Sequence, residues 1–341
     1  MFFAKLFSFL GKSLAMDLGT ANTLMYTPKD GVVLNEPTVV ALDSRDGKIL
    51  AVGKEAKEFL GRTPHRIMAI RPLKDGVIAD FEVTNTMISF FIRKVIQGFN
   101  LVKPKMVICV PTGITQVEKR AVIEAGMQSG ARDIKLVEEP VAAAIGAGMD
   151  IDKPVGNLVV DIGGGTTEVA VISLSAIAYS ESVRVAGDEM NEAIQRFIQE
   201  EYHLLIGENM AERVKMAIGT AYPPPEPLNF NVQGKNIVDG NPKTIAVNDS
   251  QIREAMQEPI QAIVQAVRRS LEKTPPELIS DIAHNGVLMA GGGSLLKGLD
   301  TLISKEIQVP VKVDEEPLTT VLRGTGEALT QEKRYSYVFV N

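Results

Sequence analysis

Leu158-Val-Val-Asp-Ile-Gly-Gly-Gly-Thr-Thr-Glu-Val-Ala-Val-Ile172 opens with three apolar residues that read as a buried strand and closes on a second β-rich run. Between them stand an aspartate, three glycines and two threonines. Glycine adopts backbone angles closed to other residues and lets a ligand approach the chain. Three in a row predict a tight turn whose N–H groups can converge on an anion, as in phosphate-binding nests. Asp161, just before the turn, suits a hydrated Mg²⁺ better than direct contact with phosphate. Taken alone, the stretch also reads as a plain β-hairpin with a glycine turn.

A second copy weakens that plain reading. In Leu14-Ala-Met-Asp-Leu-Gly-Thr-Ala-Asn-Thr23, Asp17 aligns with Asp161, Gly19 with Gly163 and Thr23 with Thr167. Strand, Asp-x-Gly turn, Thr and strand recur 144 residues apart. One phosphate-type turn per half predicts a duplicated domain that closes on a nucleotide from both sides. Gly11-Lys-Ser13 imitates the end of a P-loop, but position 6 is Leu and a strand follows. The dinucleotide fingerprint fails as well, because Glu168 stands where its third glycine belongs.

At 341 residues the chain suits two domains, or one large domain split in two. Apolar residues make up 45%, enough for a sizeable core. A net charge of −6 argues against an electrostatic nucleic-acid binder. The single cysteine, Cys109, lies in an apolar run and excludes a disulfide framework. His65, His203 and His284 are scattered and read as surface or capping residues, not metal ligands.

The first ten residues place Phe2, Phe3, Leu6, Phe7 and Leu10 on one helical face, opposite Lys5 and Ser8. This predicts a helix lying in a membrane interface, weak singly and strong in many copies; packing on its own protein is the alternative. A second membrane contact is read at Leu101 and Val102, flanked by Lys94, Lys103 and Lys105. There too, packing against the neighbouring helix is the competing reading.

Further along, Val32–Arg71 reads as a small inserted subdomain of short strands. The spacing predicts helices over Thr84–Gln97, capped by Thr84, over Thr115–Ser129, Asp188–Tyr202 and Ile206–Ile218. One long amphipathic helix is expected over Asp249–Lys273, capped by Asp249 or Ser250. Glu138-Glu-Pro-Val-Ala-Ala-Ala-Ile-Gly146 reads as a helix start with small residues suited to close helix approach. Glu139 there either orients an attacking water or simply complements the helix dipole. Glu212, Arg213 and Lys215 look like a solvated helical face. Strand-like stretches up to Val247 make a second insertion. Gly286–Leu296 is again strand, glycine turn and helix start, able to lie flat against a base or phosphate. Gly324–Ala328 reads as another small-residue helix.

Two Asp-x-Gly turns, a Glu-Pro-small-residue helix between them and a late Gly-Gly-Gly-Ser turn together resemble the actin-like ATPase superfamily. Asp17-Leu-Gly-Thr-Ala-Asn22, Glu139–Gly146, Asp161–Glu168, Ala186-Gly-Asp-Glu-Met190 and Glu272-Lys-Thr-Pro-Pro-Glu-Leu278 are similar to the MreB family of bacterial actins, over essentially the whole chain. The resemblance implies an α/β fold of duplicated actin-like (ribonuclease H-like) domains flanking a nucleotide cleft. It implies a membrane-binding helix over 1–11 and subdomain IA from 12–32, 73–147 and 320–341. Subdomain IB is then 33–72, IIA is 148–183 with 249–319, and IIB is 184–248.

The resemblance also implies roles. Thr20, Ala21 and Asn22, with Gly164, Gly165 and Thr166, would cradle the phosphates, in turns that include Gly19, Gly163 and Thr167. Asp17, Asp161 and Glu139 would surround Mg²⁺ through waters, and Glu139 with Thr166 would position the attacking water. Glu212 and Lys215, with Arg213 and Val214 between them, would meet the ribose. Gly291, Gly292, Gly293, Ser294 and Leu295 would line the base. No Asn-Lys-x-Asp guanine signature occurs, which is consistent with ATP and leaves GTP open. The family implies a slow ATPase in paired antiparallel protofilaments on the inner face of the cell membrane, working with membrane-spanning cell-wall elongation proteins to maintain rod shape. A small-molecule phosphotransferase shares the fold, whereas a chaperone would need a substrate-binding region for which no residues remain.

Overall fold

The computed structural model describes residues 13–62, 66–74, 76–96 and 103–340. The expected helix over 1–11 and Leu101-Val102 lie outside these residues. The chain divides into two compact units, one ending at 155 and resuming over 172–178 and from 319, the other formed by 156–171 and 179–318.

In the first unit, β1 (Ser13–Leu18), β2 (Asn22–Thr27) and β3 (Gly31–Pro37) come first in the chain. An inserted three-stranded sheet follows, of β4 (Val40–Asp43), β5 (Ile49–Val52) and β6 (Ile67–Ile70). A short hairpin, β7 (Leu73–Lys74) and β8 (Val77–Ile78), leads toward β9 (Lys105–Val110) and β10 (Asp133–Glu138). The main sheet runs β3-β2-β1-β9-β10, with β1, β9 and β10 parallel.

The second sheet repeats that plan. Its strands are β11 (Asn157–Ile162), β12 (Thr167–Ser173) and β13 (Ala176–Val183). An inserted sheet of β14 (Leu204–Leu205), β15 (Asn229–Asn236) and β16 (Pro242–Asn248) separates these from β17 (Val287–Ala290) and β18 (Val311–Val313). The order is β13-β12-β11-β17-β18, with β11, β17 and β18 parallel. Position by position this matches the first sheet, so the repeat read from two Asp-x-Gly turns extends to whole sheets.

Burial explains the strand sequences. Every residue of β11 is buried, as is all of β9 after Lys105. Such continuous apolar runs belong to parallel strands covered on both faces. In the first unit Leu14, Met16 and Ile108 share a core with Met87, Phe91 and Ile92 of the helix Phe81–Val95. In the second, Leu158 and Val160 share a core with Ile194, Ile263 and Val267. Cys109 is buried in β9, as its apolar run suggested.

Two helix boundaries differ from expectation. Asp80, not Thr84, caps the helix Phe81–Val95, its carboxylate accepting from Val83 N at 3.0 Å. Thr84 instead turns its hydroxyl back to the Asp80 carbonyl, at 2.6 Å. The long helix over 249–273 is two, Asp249–Ala255 and Gln257–Lys273, and Asn248 caps the first in a reciprocal pair with Gln251. Pro259 has no N–H to offer the Ala255 carbonyl, which accounts for the break. Thr115 caps Gln116–Gln128 with Glu118 returning the bond, and the start was legible in its sequence.

The two small-residue helices, Glu139–Gly146 and Thr320–Thr330, pack on each other within the first unit. A Cβ on Gly146 would collide with the Thr320 carbonyl, and one on Gly324 with the Ala142 carbonyl. Arg323 donates to the Gly146 carbonyl at 3.2 Å, satisfying a terminal acceptor of the facing helix.

Candidate functional site

Both aspartates sit near the C-terminal ends of parallel strands, where α/β sheets place their ligands. In the first unit Asp17 of β1 is level with Cys109 of β9, which is level with Val137 of β10. Glu139 follows two residues later, as the first residue of its helix. Sequence-predicted Asp17 and Glu139 thus share one rim of one sheet. In the second unit Asp161 of β11 is level with Ala290 of β17, so the Gly291 turn begins beside it.

The two Asp-x-Gly turns are built alike. A Cβ on Gly19 would stand 2.8 Å from the Asn22 carbonyl oxygen, and one on Gly163 would stand 3.3 Å from that of Thr166. In each turn the carbonyl three residues on lies over a bare glycine. The second turn is closed by Gly163 N donating to Thr166 O at 2.9 Å.

Their supports differ. In the first turn the Thr38 hydroxyl donates to Gly19 O at 2.7 Å, and Thr38 N donates to Ala21 O at 3.0 Å. Thr23 shares a 3.0 Å hydroxyl contact with Thr38, and Thr20 accepts from Gly76 N at 3.3 Å. In the second turn the start of the helix Gly187–Tyr202 does this work. Gly187 N donates to Gly163 O and Asp188 N to Gly164 O, at 3.3 and 2.8 Å. Thr167 is fully buried with its hydroxyl on Val185 O at 2.7 Å, so that hydroxyl braces the turn.

Lys215, on the helix Glu208–Ile218, is drawn into this arrangement. Its ammonium donates to Gly187 O at 2.6 Å, the same residue whose N–H holds Gly163. Burial pushes its pKa down, opposed by Asp188, Glu212, Glu189 and Glu208 around it. The charge cluster is therefore not simply a solvated face. Val214 between them is fully buried in the core, and Arg213 is exposed with its guanidinium over the Phe230 ring at 5.9 Å. A helix turns these neighbours in different directions, which leaves Glu212 and Lys215 on one side.

The Gly291–Leu295 segment packs directly on the Asp161 turn. Gly291 has φ of +78°, and a Cβ there would collide with Asp161 Oδ1 and the Ile162 carbonyl. Gly293 presses on the Ile162 side chain in the same way. Gly291 N donates to Pro317 O at 2.9 Å and Ser294 Oγ to Gly291 O at 2.6 Å, fixing the one-turn 3₁₀ helix Gly292–Leu295. The structure thus brings together Asp161, Gly163–Thr166 and Gly291–Leu295 in one unit, and Asp17, Gly19–Asn22 and Glu139 in the other.

Electrostatics mark Asp17. Burial pushes its carboxyl up to about 7. A carboxyl that burial disfavours as an anion gains from a cation arriving beside it. Asp17, Glu139 and Asp161 are each carboxylates, the hard oxygen donors Mg²⁺ selects, and among the described residues no three metal-ligating side chains are gathered into one site. Sequence reasoning missed Lys215's brace and the supporting roles of Thr38 and Gly187, which are long-range contacts.

Comparison with known proteins gives the family. The MreB/Mbl protein family model matches residues 11–337. Mbl of Bacillus subtilis strain 168 is 51% identical over 318 residues, 93% of this chain and 96% of that protein. MreB of Escherichia coli K12 is 52% identical over 321 residues, 93% of this chain and 92% of its own length. Among solved structures, MreB5 of Spiroplasma citri bound to ADP superposes with a TM-score of 0.90 at 34% identity, covering 96% of this chain and 98% of that one. A MamK double helical filament shares the fold at 22% identity, with a TM-score of 0.82 and coverage of 94% and 99%. With its duplicated actin-like sheets and a family match over nearly its whole length, the chain belongs to the MreB/Mbl family.

Proposed function

We propose that this chain binds and hydrolyses ATP, polymerises into filaments and, on the inner face of the cell membrane, organises wall synthesis to maintain cell shape. The observation that carries the reading is the pair of matched Asp-x-Gly turns, one per unit, each with a glycine under a carbonyl three residues on. Relatives named cell shape-determining proteins support the cellular role. The Spiroplasma citri relatives bound to ADP and to AMPPNP support the nucleotide.

In this reading Thr20, Ala21 and Asn22 from one unit and Gly164, Gly165 and Thr166 from the other serve the phosphates of one nucleotide. Backbone N–H groups supply the contacts, which need no side chain to reorganise. Asp17, Asp161 and Glu139 would hold Mg²⁺ through waters, and the ion when bound would offset phosphate charge. Glu139 accepts a hydrogen bond from the attacking water while Thr166 Oγ fixes its direction. Phosphoryl transfer needs little from the protein beyond such positioning. Glu212 and Lys215 face the ribose, and Gly291–Leu295 the base.

Membrane attachment rests on the apolar face of Phe2, Phe3, Leu6, Phe7 and Leu10 and on Leu101-Val102. Among the described residues no helix is long and apolar enough to cross a membrane. Pairing of antiparallel protofilaments and contact with membrane-spanning elongation proteins complete the proposal.

Sedimentation with ATP and anionic liposomes tests it. The expected result is polymer pelleting with vesicles, and loss of vesicle binding but not of ATP binding when residues 1–11 are deleted. No polymer at micromolar protein, with phosphate passed to a small acceptor, would overturn the filament reading in favour of a phosphotransferase.

A further inference from the structure

We propose that Glu36 is a positioning residue for the Asp17 turn: its ion pair with Lys94 sets the strand end that carries Thr38, and Thr38 sets the turn. The inference rests on the nucleotide reading above and adds two residues that neither glycine turn contains. Glu36 lies on β3 directly across from Thr23 of β2, with Pro37 level with Asn22. Its carboxylate is buried. One oxygen accepts from Lys94 Nζ at 2.7 Å and the other from Lys54 N at 2.8 Å. A Cβ on Gly53 would stand 2.5 Å from that second oxygen, so a bare glycine with φ of +73° lets the carboxylate in. Against burial, which raises it, the bonds from Lys94 and Lys54 hold the Glu36 carboxyl below its ordinary range.

Three segments thus meet on one side chain: β3, the start of the short helix Lys54–Phe59, and the helix Phe81–Val95 that carries Lys94. Pro37 has a fixed φ, so a shift at Glu36 passes to Thr38 with little slack. Thr38 then holds the Asp17 turn twice, donating to Gly19 O at 2.7 Å and to Ala21 O at 3.0 Å. Stability alone does not call for such a pair, because well-packed apolar side chains serve a buried position as well. What the pair adds here is one fixed geometry. Lys94, whose place in the sequence suggested the flank of a membrane contact, is turned onto Glu36 with about half of its side chain in solvent.

The test measures binding of ATP and of adenosine to the full chain and its Glu36→Gln, Lys94→Met and Lys94→Arg variants, with Mg²⁺ present. Glu36→Gln and Lys94→Met should each weaken ATP by about tenfold, the scale of one lost charge-assisted bond. The double variant should lose little more than either alone, since both remove the same link. Lys94→Arg keeps the charge and should bind ATP within about threefold of the wild type. Adenosine, which has no phosphate, should bind every variant as it binds the wild type. Lys94 is half in solvent, so Lys94→Met should fold even where Glu36→Gln does not. Unchanged ATP affinity in Lys94→Met, whatever its melting temperature, overturns the inference and leaves the nucleotide reading intact. Equal loss of adenosine also overturns it, by showing a general distortion. Failure of the wild type to bind ATP at all would remove the nucleotide reading and this inference with it.

Discussion

The Asp17 turn and the Asp161 turn have the same backbone plan and different supports. Threonine hydroxyls and the backbone of a neighbouring strand end hold the first. A helix N-terminus, a half-buried lysine and a second glycine turn hold the other. Duplication preserved the shape of the turn, a bare glycine under a folded-back carbonyl. It did not preserve what holds that shape, because each copy sits in different surroundings. The first copy leaves Asp17 as its least settled group, whereas the second packs Gly291 onto Asp161.

The contrast predicts a ranking of substitutions. Gly291→Ala should be the most damaging, since it combines a φ of +78° with collisions against Asp161 and Ile162 backbone and side chain. Left-handed strain alone costs roughly 1–2 kcal/mol; with the clash, the fall in melting temperature should exceed 10 °C, by about the slope expected for a chain this size. Gly19→Ala should cost less, and Gly163→Ala least of the three, following Cβ approaches of 2.8 and 3.3 Å. Equal melting shifts for the two turn glycines would break the comparison.

Glu139→Ala should slow hydrolysis about a hundredfold or more while ATP affinity stays within about threefold. Equal loss of both would assign Glu139 to binding, or to its helix dipole, in place of water positioning.

Asp17 predicts a pH dependence. Its carboxyl is raised from 3.8 to about 7 on folding, so the unfolded chain ionises first. Its protonated form favours the folded state below about 4, and this contribution is lost as pH rises towards 7. Asp17→Asn escapes the loss. In nucleotide-free protein it should be more stable than wild type by up to a few kcal/mol at pH 8, with the advantage shrinking towards pH 4. With Mg²⁺ and ATP the order should reverse, because the variant has no carboxylate for the ion. A nucleotide-free variant no more stable than wild type at pH 8 would contradict the burial account.

The smallest effect is expected from the threonines. Thr167→Val leaves Val185 O without its hydroxyl, worth about 1–2 kcal/mol. Thr23→Val should cost less, since Thr38 keeps its bond to Gly19 O.

The repeat was legible because turns that must bare their backbone use glycine, and two Asp-x-Gly copies at matching positions are hard to disguise. Strands were legible because buried parallel strands read as apolar runs. Capping positions were less so: Asp80 and Thr84 are both good cap residues, and only tertiary packing chooses. Met256 carries no breaker signal, and the break at it follows from Pro259, three residues later. Lys215 looked solvated because a charged cluster on a helix usually is; its burial depends on Gly187, 28 residues earlier.

Amide hydrogen exchange with and without Mg²⁺-ATP tests the central claim, that both turns serve one nucleotide. The account predicts that 19–22, 163–166 and 292–295 gain protection together, at the same ATP concentration. Protection of one Asp-x-Gly turn with the other unchanged would contradict it.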